Sequence, residues 1–280
     1  MSAPRDDVLV VPGSRLHYEV RGTGPLLLVL QGGDGDARHS GGLVRRLAGE
    51  FTVVTYDRRG LSRSTIDDPS RPVTVETHAD DAHRLLAALT REPALLFGSS
   101  FGGLVGLALA TRHPEQVATL VTHEPPVLGL LRGAARARAR RVLKELEVVY
   151  RDEGWVAAFK TLAEITGAGA GDREPDAELP PPLSRERIAN MHFFFSRDLP
   201  ALRRCELGVA EIAGLGRAGC ARAVPGAGRT TPRDFFDHLC VEALARVLGT
   251  EVVEFPGGHN GPTTHPAGFA SRLGEVLRGT

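Results

Sequence analysis

Short apolar runs alternate with helix-periodic stretches through the first 124 residues. Val8–Val11, Leu16–Val20, Leu26–Leu30 and Phe51–Thr55 are β-branched or leucine-rich and bounded by Gly, Pro or Asp, a pattern that predicts strands. A Pro-Gly-Ser turn separates the first two, which predicts an antiparallel hairpin. Farther on, Ala79, Ala82, Leu85, Leu86 and Leu89 fall on one face of a 3.6-residue period and predict an amphipathic helix. Ala94–Phe97 predicts a strand, Phe101–Arg112 a helix stopped by Pro114, and Val117–Thr122 another strand. Uninterrupted apolar strands set between helices imply a mostly parallel sheet covered on both faces.

The pattern changes at His123-Glu124-Pro125-Pro126. From there to about Leu215 the periodicity is helical with no convincing strand, and Gly167–Pro182 is a Gly/Pro-rich loop. Alternation then resumes. Ala221–Val224 is a weak strand, Phe235–Gly249 a helix ending on its glycine, Thr250–Gly258 a strand, and Pro266–Leu277 a closing helix with proline in its first turn. These elements predict a sheet core over residues 1–124 and 216–280, interrupted by a helical cap over residues 125–215. No internal repeat is present.

Bulk properties narrow the reading. A chain of 280 residues suffices for one such domain with its insertion. The formal net charge is zero, so no global field draws nucleic acid or an anionic membrane, and no apolar run reaches bilayer length. The start, MSAPRDDVLVVPG, lacks the basic and apolar regions of a secretory signal. Cys205, Cys220 and Cys240 are odd in number and widely spaced, offering neither a disulfide framework nor a metal-ligand pair. The expectation is a cytoplasmic protein acting on a small molecule, with its oligomeric state left open.

Chemistry enters at Gly98-Ser99-Ser100-Phe101-Gly102, which fits G-x-S-x-G with a buried strand before it and a helix after it. Ser100 is then a candidate nucleophile on a strained turn; the alternative is an N-capping serine in a tight strand–helix connection. Two further segments add weight to the first. Leu26–Leu30 runs into Gln31-Gly32-Gly33-Asp34-Gly35, a loop whose backbone N–H groups could receive an oxyanion, with Gly33 and Phe101 as the preferred donors. His259 follows the last predicted strand and precedes one helix, where a general base would reach back over the sheet; His265, next to Pro266, is the lesser alternative. No metal-ligand cluster, G-x-G-x-x-G or cofactor-attaching lysine is evident, so the expected mechanism uses neither metal nor cofactor.

Over essentially its full length the chain resembles an α/β-hydrolase-fold protein, through HYEVRG, VVTYDRRGLS, GSSFGG, VATLVTHEPP and EVVEFPGGHNG. The resemblance implies an eight-stranded, mostly parallel sheet with helices on both faces, a helical cap, and a triad in the order nucleophile, acid, histidine. Asp57-Arg58-Arg59-Gly60 resembles the family's turn after strand four and reads as a structural, hydrogen-bonded loop. The chain departs from the pattern at Gln31-Gly32, where many members carry His-Gly. It departs again after the seventh strand, where Thr230 and Thr231 stand in place of the usual Asp. Glu124, just past the sixth strand, resembles the acid position of certain haloalkane dehalogenases and is the first candidate orienter of His259. Asp234 is the alternative, and a site without an acid is the third option.

Trp155, Phe159, Met191 and Phe194 are the candidate apolar lining of a substrate pocket beneath the cap, implying a small to medium apolar substrate. Arg136, Arg138, Arg140, Arg141 and Lys144 read as a solvated helix face. Together these point to a serine hydrolase acting on an ester, lactone or thioester. A cyclase or lyase using His259 as base, or a ligand-binding pseudo-hydrolase, are the alternatives on the same scaffold.

Overall fold

The computed structural model describes residues 5–33, 35–167, 172–179, 182–216 and 221–279. Cys220 and part of the 167–182 loop lie outside the described residues. Eight strands form one sheet: β1 (Arg5–Val11), β2 (Ser14–Arg21), β3 (Leu26–Leu30), β4 (Thr52–Tyr56), β5 (Ala94–Ser99), β6 (Val117–His123), β7 (Arg222–Gly228) and β8 (Val253–Phe255). Their order across the sheet is β1-β2-β4-β3-β5-β6-β7-β8. β1 and β2 make the expected antiparallel hairpin, β2 also runs against β4, and every later pairing is parallel.

Alternation along the strands explains why both faces are covered. Leu28, Leu30, Val54, Leu96 and Leu120 belong to one apolar cluster; their neighbours Leu27, Val29, Val53, Phe97 and Val121 belong to a second. Successive side chains point to opposite faces of a strand, so an unbroken apolar run feeds two cores at once. On the first face lie α2 (Val75–Leu89), α3 (Phe101–Arg112) and α9 (Phe236–Leu248); on the second lie α1 (Gly41–Leu47) and α11 (Pro266–Arg278). In α3 all ten residues from Phe101 to Ala110 are buried, and small residues let this helix approach the sheet closely. The sheet edges are guarded differently. β1 begins with the exposed charges Arg5, Asp6 and Asp7, whereas β8 is only three residues long; charge and shortness both discourage pairing with another chain.

Between β6 and β7 the regular elements among the described residues are helices, joined by loops. They are α4 (Gly133–Glu153), α5 (Trp155–Thr166), α6 (Arg185–Phe193), a wide turn Phe194–Asp198, α7 (Leu199–Arg204) and α8 (Val209–Ile212). A short α10 (Gly261–Thr264) precedes α11. Three elements differ clearly from the sequence reading. Of the strand predicted over Thr250–Gly258 only Val253–Phe255 forms, because the segment turns away at Pro256-Gly257. α1 begins on Gly41-Gly42 and spans only seven residues, too short for the period to stand out. β7 runs on to Gly228, through Pro225 and Gly226, because β6 pairs with it as far as Gly226 and β8 takes over from Gly226 to Gly228.

Candidate active site

Gln31–Gly33, Ser100, Glu124 and His259 all follow the carboxyl ends of strands, β3, β5, β6 and β8 respectively. Open parallel sheets gather ligand sites at that edge. Ser100 has φ 51° and ψ −122°, a conformation costly for any residue but glycine. The turn is held by its own N–H, which donates to the His123 carbonyl at 2.8 Å, and by the Ser100 carbonyl, which accepts from Gly103 at 2.9 Å. The flanking glycines are needed because backbone crosses here. A Cβ on Gly98 would lie 2.6 Å from the Gly102 carbonyl oxygen, and one on Gly102 would overlap the Leu30 carbonyl. Ser100 makes no side-chain cap to α3, so the N-cap reading of this turn fails on geometry. Phe101 opens α3, and a helix's first N–H groups have no partner within the helix.

Glu124 also sits at positive φ, 50°, with its N–H donating to the Gly226 carbonyl at 3.0 Å. Its side chain is fully buried. Oε1 accepts from the Gly228 N–H at 2.9 Å and Oε2 lies 2.7 Å from His259 Nδ1. Burial alone would raise this carboxyl, but the hydrogen bond from His259 and the positive charge that His123 and His259 can take on outweigh it, bringing the pKa down to about 2. An ionised carboxylate only accepts, so Nδ1 carries the imidazole proton and the Nε2 lone pair is left available. Burial lowers the His259 pKa, but the bond to Glu124 and that carboxylate's charge reverse this and leave it raised. The Phe235 ring stands edge-on to the imidazole, 5.5 Å between centroids.

The other sequence candidates fall elsewhere. Asp234 is 76% exposed and its nearest cation is Arg138, at 3.5 Å, so it is not brought to His259. Thr231 is buried, and Thr230 bonds Asp172 at 2.7 Å. His265 lies 3.3 Å from Asp172, through Nε2, and 2.9 Å from Thr264. Among the apolar candidates, Met191 and Phe194 are buried, and the Phe194 ring lies against Gly33. Trp155 packs on the main core, while Phe159 is 49% exposed and turns outward on α5.

One acid escaped the sequence reading. Asp237, in the first turn of α9, is buried with Oδ2 3.9 Å from His259 Nε2, and its Oδ1 has no protein partner. Burial pushes its pKa up to about 8, against the pull of His259, so it is mostly protonated at neutral pH. An acid in a first helical turn has an ordinary local explanation, since it suits the helix dipole, and nothing in the sequence marks it as facing the histidine. Among the described residues no cluster of His, Cys, Asp and Glu could hold a metal ion.

A family model described as the alpha/beta hydrolase fold matches residues 25–154. The chain is 38% identical over 269 residues to a Bacillus subtilis (strain 168) protein named uncharacterized hydrolase YraK, covering 96% of this chain and 94% of the relative. The fold matches the enol-lactonase of Burkholderia xenovorans LB400 with TM-score 0.71 and 24% identity, over 97% of this chain and 100% of that one. It matches a hydrolase from Pseudomonas aeruginosa PA01 with TM-score 0.67 and 23% identity, over 97% and 98%. The chain belongs to the alpha/beta hydrolase fold family and groups with its hydrolases. No helix among the described residues is long and apolar enough to cross a membrane.

Proposed function

We propose that the protein is a serine hydrolase that cleaves a carboxylic ester, lactone or thioester of a small to medium apolar metabolite. The observation that carries this reading is the 2.7 Å contact between Glu124 and His259, at the same sheet edge as a serine in a strained strand–helix turn. In this mechanism Ser100 Oγ attacks the substrate carbonyl carbon while His259 Nε2 takes the hydroxyl proton. Glu124 fixes the tautomer and stabilises the imidazolium. The N–H groups of Gly33 and Phe101 receive the oxyanion of the tetrahedral intermediate. Collapse breaks the bond to the leaving oxygen or sulfur, which takes the proton from His259 and leaves an acyl-Ser100 ester. Water then attacks that ester, giving its proton to His259, and expulsion of Ser100 Oγ returns the proton to the serine and frees the acid.

In the same reading residues 125–215 act as a cap over the site, with Met191 and Phe194 on its inner side and the exposed Phe159 outside the lining. Turnover of p-nitrophenyl esters by the parent and by Ser100→Ala tests the assignment. Loss of activity supports it, and unchanged activity overturns it. Turnover of a metabolite that survives Ser100→Ala but not His259→Ala would assign the site to non-hydrolytic base catalysis instead.

A further inference from the structure

Arg58 follows β4 in the turn that the sequence presents as merely structural. Its side chain is 2% exposed, and of its guanidinium nitrogens Nη1 and Nη2 are paired while Nε has no protein partner. Nη1 donates to the carbonyls of Gln31 at 2.9 Å and Gly32 at 2.6 Å, and Nη2 donates to the Gly33 carbonyl at 3.0 Å. One planar fork therefore grips three successive carbonyls of the loop after β3. Nη2 also bonds Asp198 Oδ2 at 2.9 Å, and the guanidinium carbon stands 4.9 Å from the centre of the Phe101 ring.

Peptide planarity turns this grip into a statement about the site. In a trans peptide the carbonyl of one residue and the N–H of the next point in opposite directions. Holding the Gly32 oxygen against Arg58 therefore fixes the Gly33 N–H on the side away from the guanidinium. Ser100 is close to this loop: a Cβ on Gly32 would lie 3.7 Å from Ser100 Cβ. With the ring of Phe101 under the same guanidinium, both residues assigned as oxyanion donors touch Arg58.

The counter-charge comes from a distant part of the chain. Asp198 ends the Phe194–Asp198 turn of the helical segment between β6 and β7 and is completely buried. Its second oxygen lies 3.0 Å from His78 Nε2 on α2, and the His78 ring stands edge-on to Phe101 at 5.6 Å. Burial would raise the Asp198 carboxyl, but Arg58 and His78 outweigh it and keep the pKa low. At the other end of the same turn, Phe194 packs on Gly33. The helical segment thus reaches the oxyanion loop twice, through an ion pair to the group that orients it and through a ring laid against its glycine.

We infer that Arg58 is a positioning residue that orients the Gly33 N–H toward the oxyanion, and that Asp198 makes this orientation depend on the docking of the 125–215 segment. This rests on the serine-hydrolase reading. It assigns a role in transition-state binding to a pair of residues that never meets substrate.

The test is Arg58→Lys, which keeps the positive charge beside Asp198 but replaces a planar fork by a single ammonium that cannot span three carbonyls. After correction for active-site content by titration, kcat on a p-nitrophenyl ester should fall by roughly 10²–10³, the cost of one oxyanion donor. KM should stay within about threefold, because an oxyanion forms only after attack. Binding of a trifluoromethyl ketone, which forms an oxyanion on Ser100, should weaken by the same factor as kcat/KM. A kcat within about threefold of the parent overturns the inference. So does a loss that vanishes after active-site titration, which would make Arg58 a folding residue only. Should Arg58→Lys not fold, Asp198→Asn is read instead; it should lower kcat by about tenfold with KM steady, and an unchanged kcat overturns the coupling. Failure of the underlying reading is separately visible, because Ser100→Ala would then retain full esterase activity.

Discussion

Glu124→Gln exchanges one carboxylate oxygen for an amide nitrogen at nearly constant volume. Oε1 of the native residue accepts from the Gly228 N–H at 2.9 Å, a donor held at the end of β7. The amide oxygen must take that place, because an NH₂ facing the same N–H would leave two buried donors opposed. The NH₂ then faces His259 Nδ1, where the carboxylate stood at 2.7 Å. Since NH₂ only donates there, the imidazole must accept on Nδ1 and carry its proton on Nε2, the nitrogen that should receive the Ser100 proton. A wrong tautomer costs about 10⁴ in kcat, or about 5.5 kcal/mol of barrier at ~1.36 kcal/mol per decade. The acid limb of kcat/KM should also move to lower pH, because the carboxylate that raises the His259 pKa is gone. Stability changes in a defined window. The Glu124 pKa falls from 4.5 to about 2 on folding, so its contribution, of order 3 kcal/mol at ~1.36 kcal/mol per unit, is fully present above pH 4.5. It is lost as pH falls toward 2. Urea melts of the variant should lack this acid-side slope. The assay is p-nitrophenyl acetate turnover with titrated enzyme, with Asp234→Asn as comparison, expected within twofold of the parent because Asp234 is solvent-exposed. A loss below tenfold in Glu124→Gln, or an equal loss in Asp234→Asn, would refute the assignment of the acid.

Asp237 gives the opposite pH signature. Its pKa rises from 3.8 to about 8 on folding, so the unfolded chain releases the proton first and stability falls as pH rises from about 4 through 8. Asp237→Asn mimics the protonated form and should remove that slope. It should match the parent in urea melts near pH 4 and exceed it by about 2–5 kcal/mol at pH 8; equal melts at pH 8 would show that the carboxyl is solvated. Ser100→Gly should abolish esterase activity while relieving the φ 51° strain. It should unfold about 1 kcal/mol harder than Ser100→Ala, which keeps the strain; a less stable glycine variant would mean that the turn holds no strain.

The sheet and most of its helices were legible because the two periods differ sharply here. β-branched and leucine runs end on Gly, Pro or Asp, and Phe101–Arg112 is bounded by a special turn at one end and by Pro114 at the other. The placement of Ser100 and His259 at the carboxyl ends of strands was legible for a different reason: each follows a readable strand and precedes a readable helix. Glu124 could be suspected only because Thr230 and Thr231 left the usual acid position empty. Its bond to His259 depends on a positive φ that its composition does not announce. The contacts of Arg58 with the loop after β3 and of Asp237 with His259 were not legible. Each residue has a sufficient local explanation, a hydrogen-bonded turn and a helix N-terminus, and only the packing of segments 140 and 22 residues away gives them further neighbours. Phe159 misled because helix periodicity says which residues share a face and not which face turns inward.

On the serine-hydrolase reading, an acid taken from the end of β6 changes the order in which the site can come into being. Ser100 and Glu124 lie on neighbouring strands joined by α3, a compact strand–helix–strand unit, and the Ser100 N–H is tied to the residue before Glu124. Chains are made from the amino end and domains tend to fold in that direction, so this unit is available early. His259 follows β8, 135 residues after Glu124, and leaves the ribosome later than either Ser100 or Glu124. On the serine-hydrolase reading, a nascent or carboxyl-truncated chain would hold its nucleophile and its acid in register without a base between them. It would stay chemically silent until β8 joins β7, so the step that adds this strand to the sheet also arms the site.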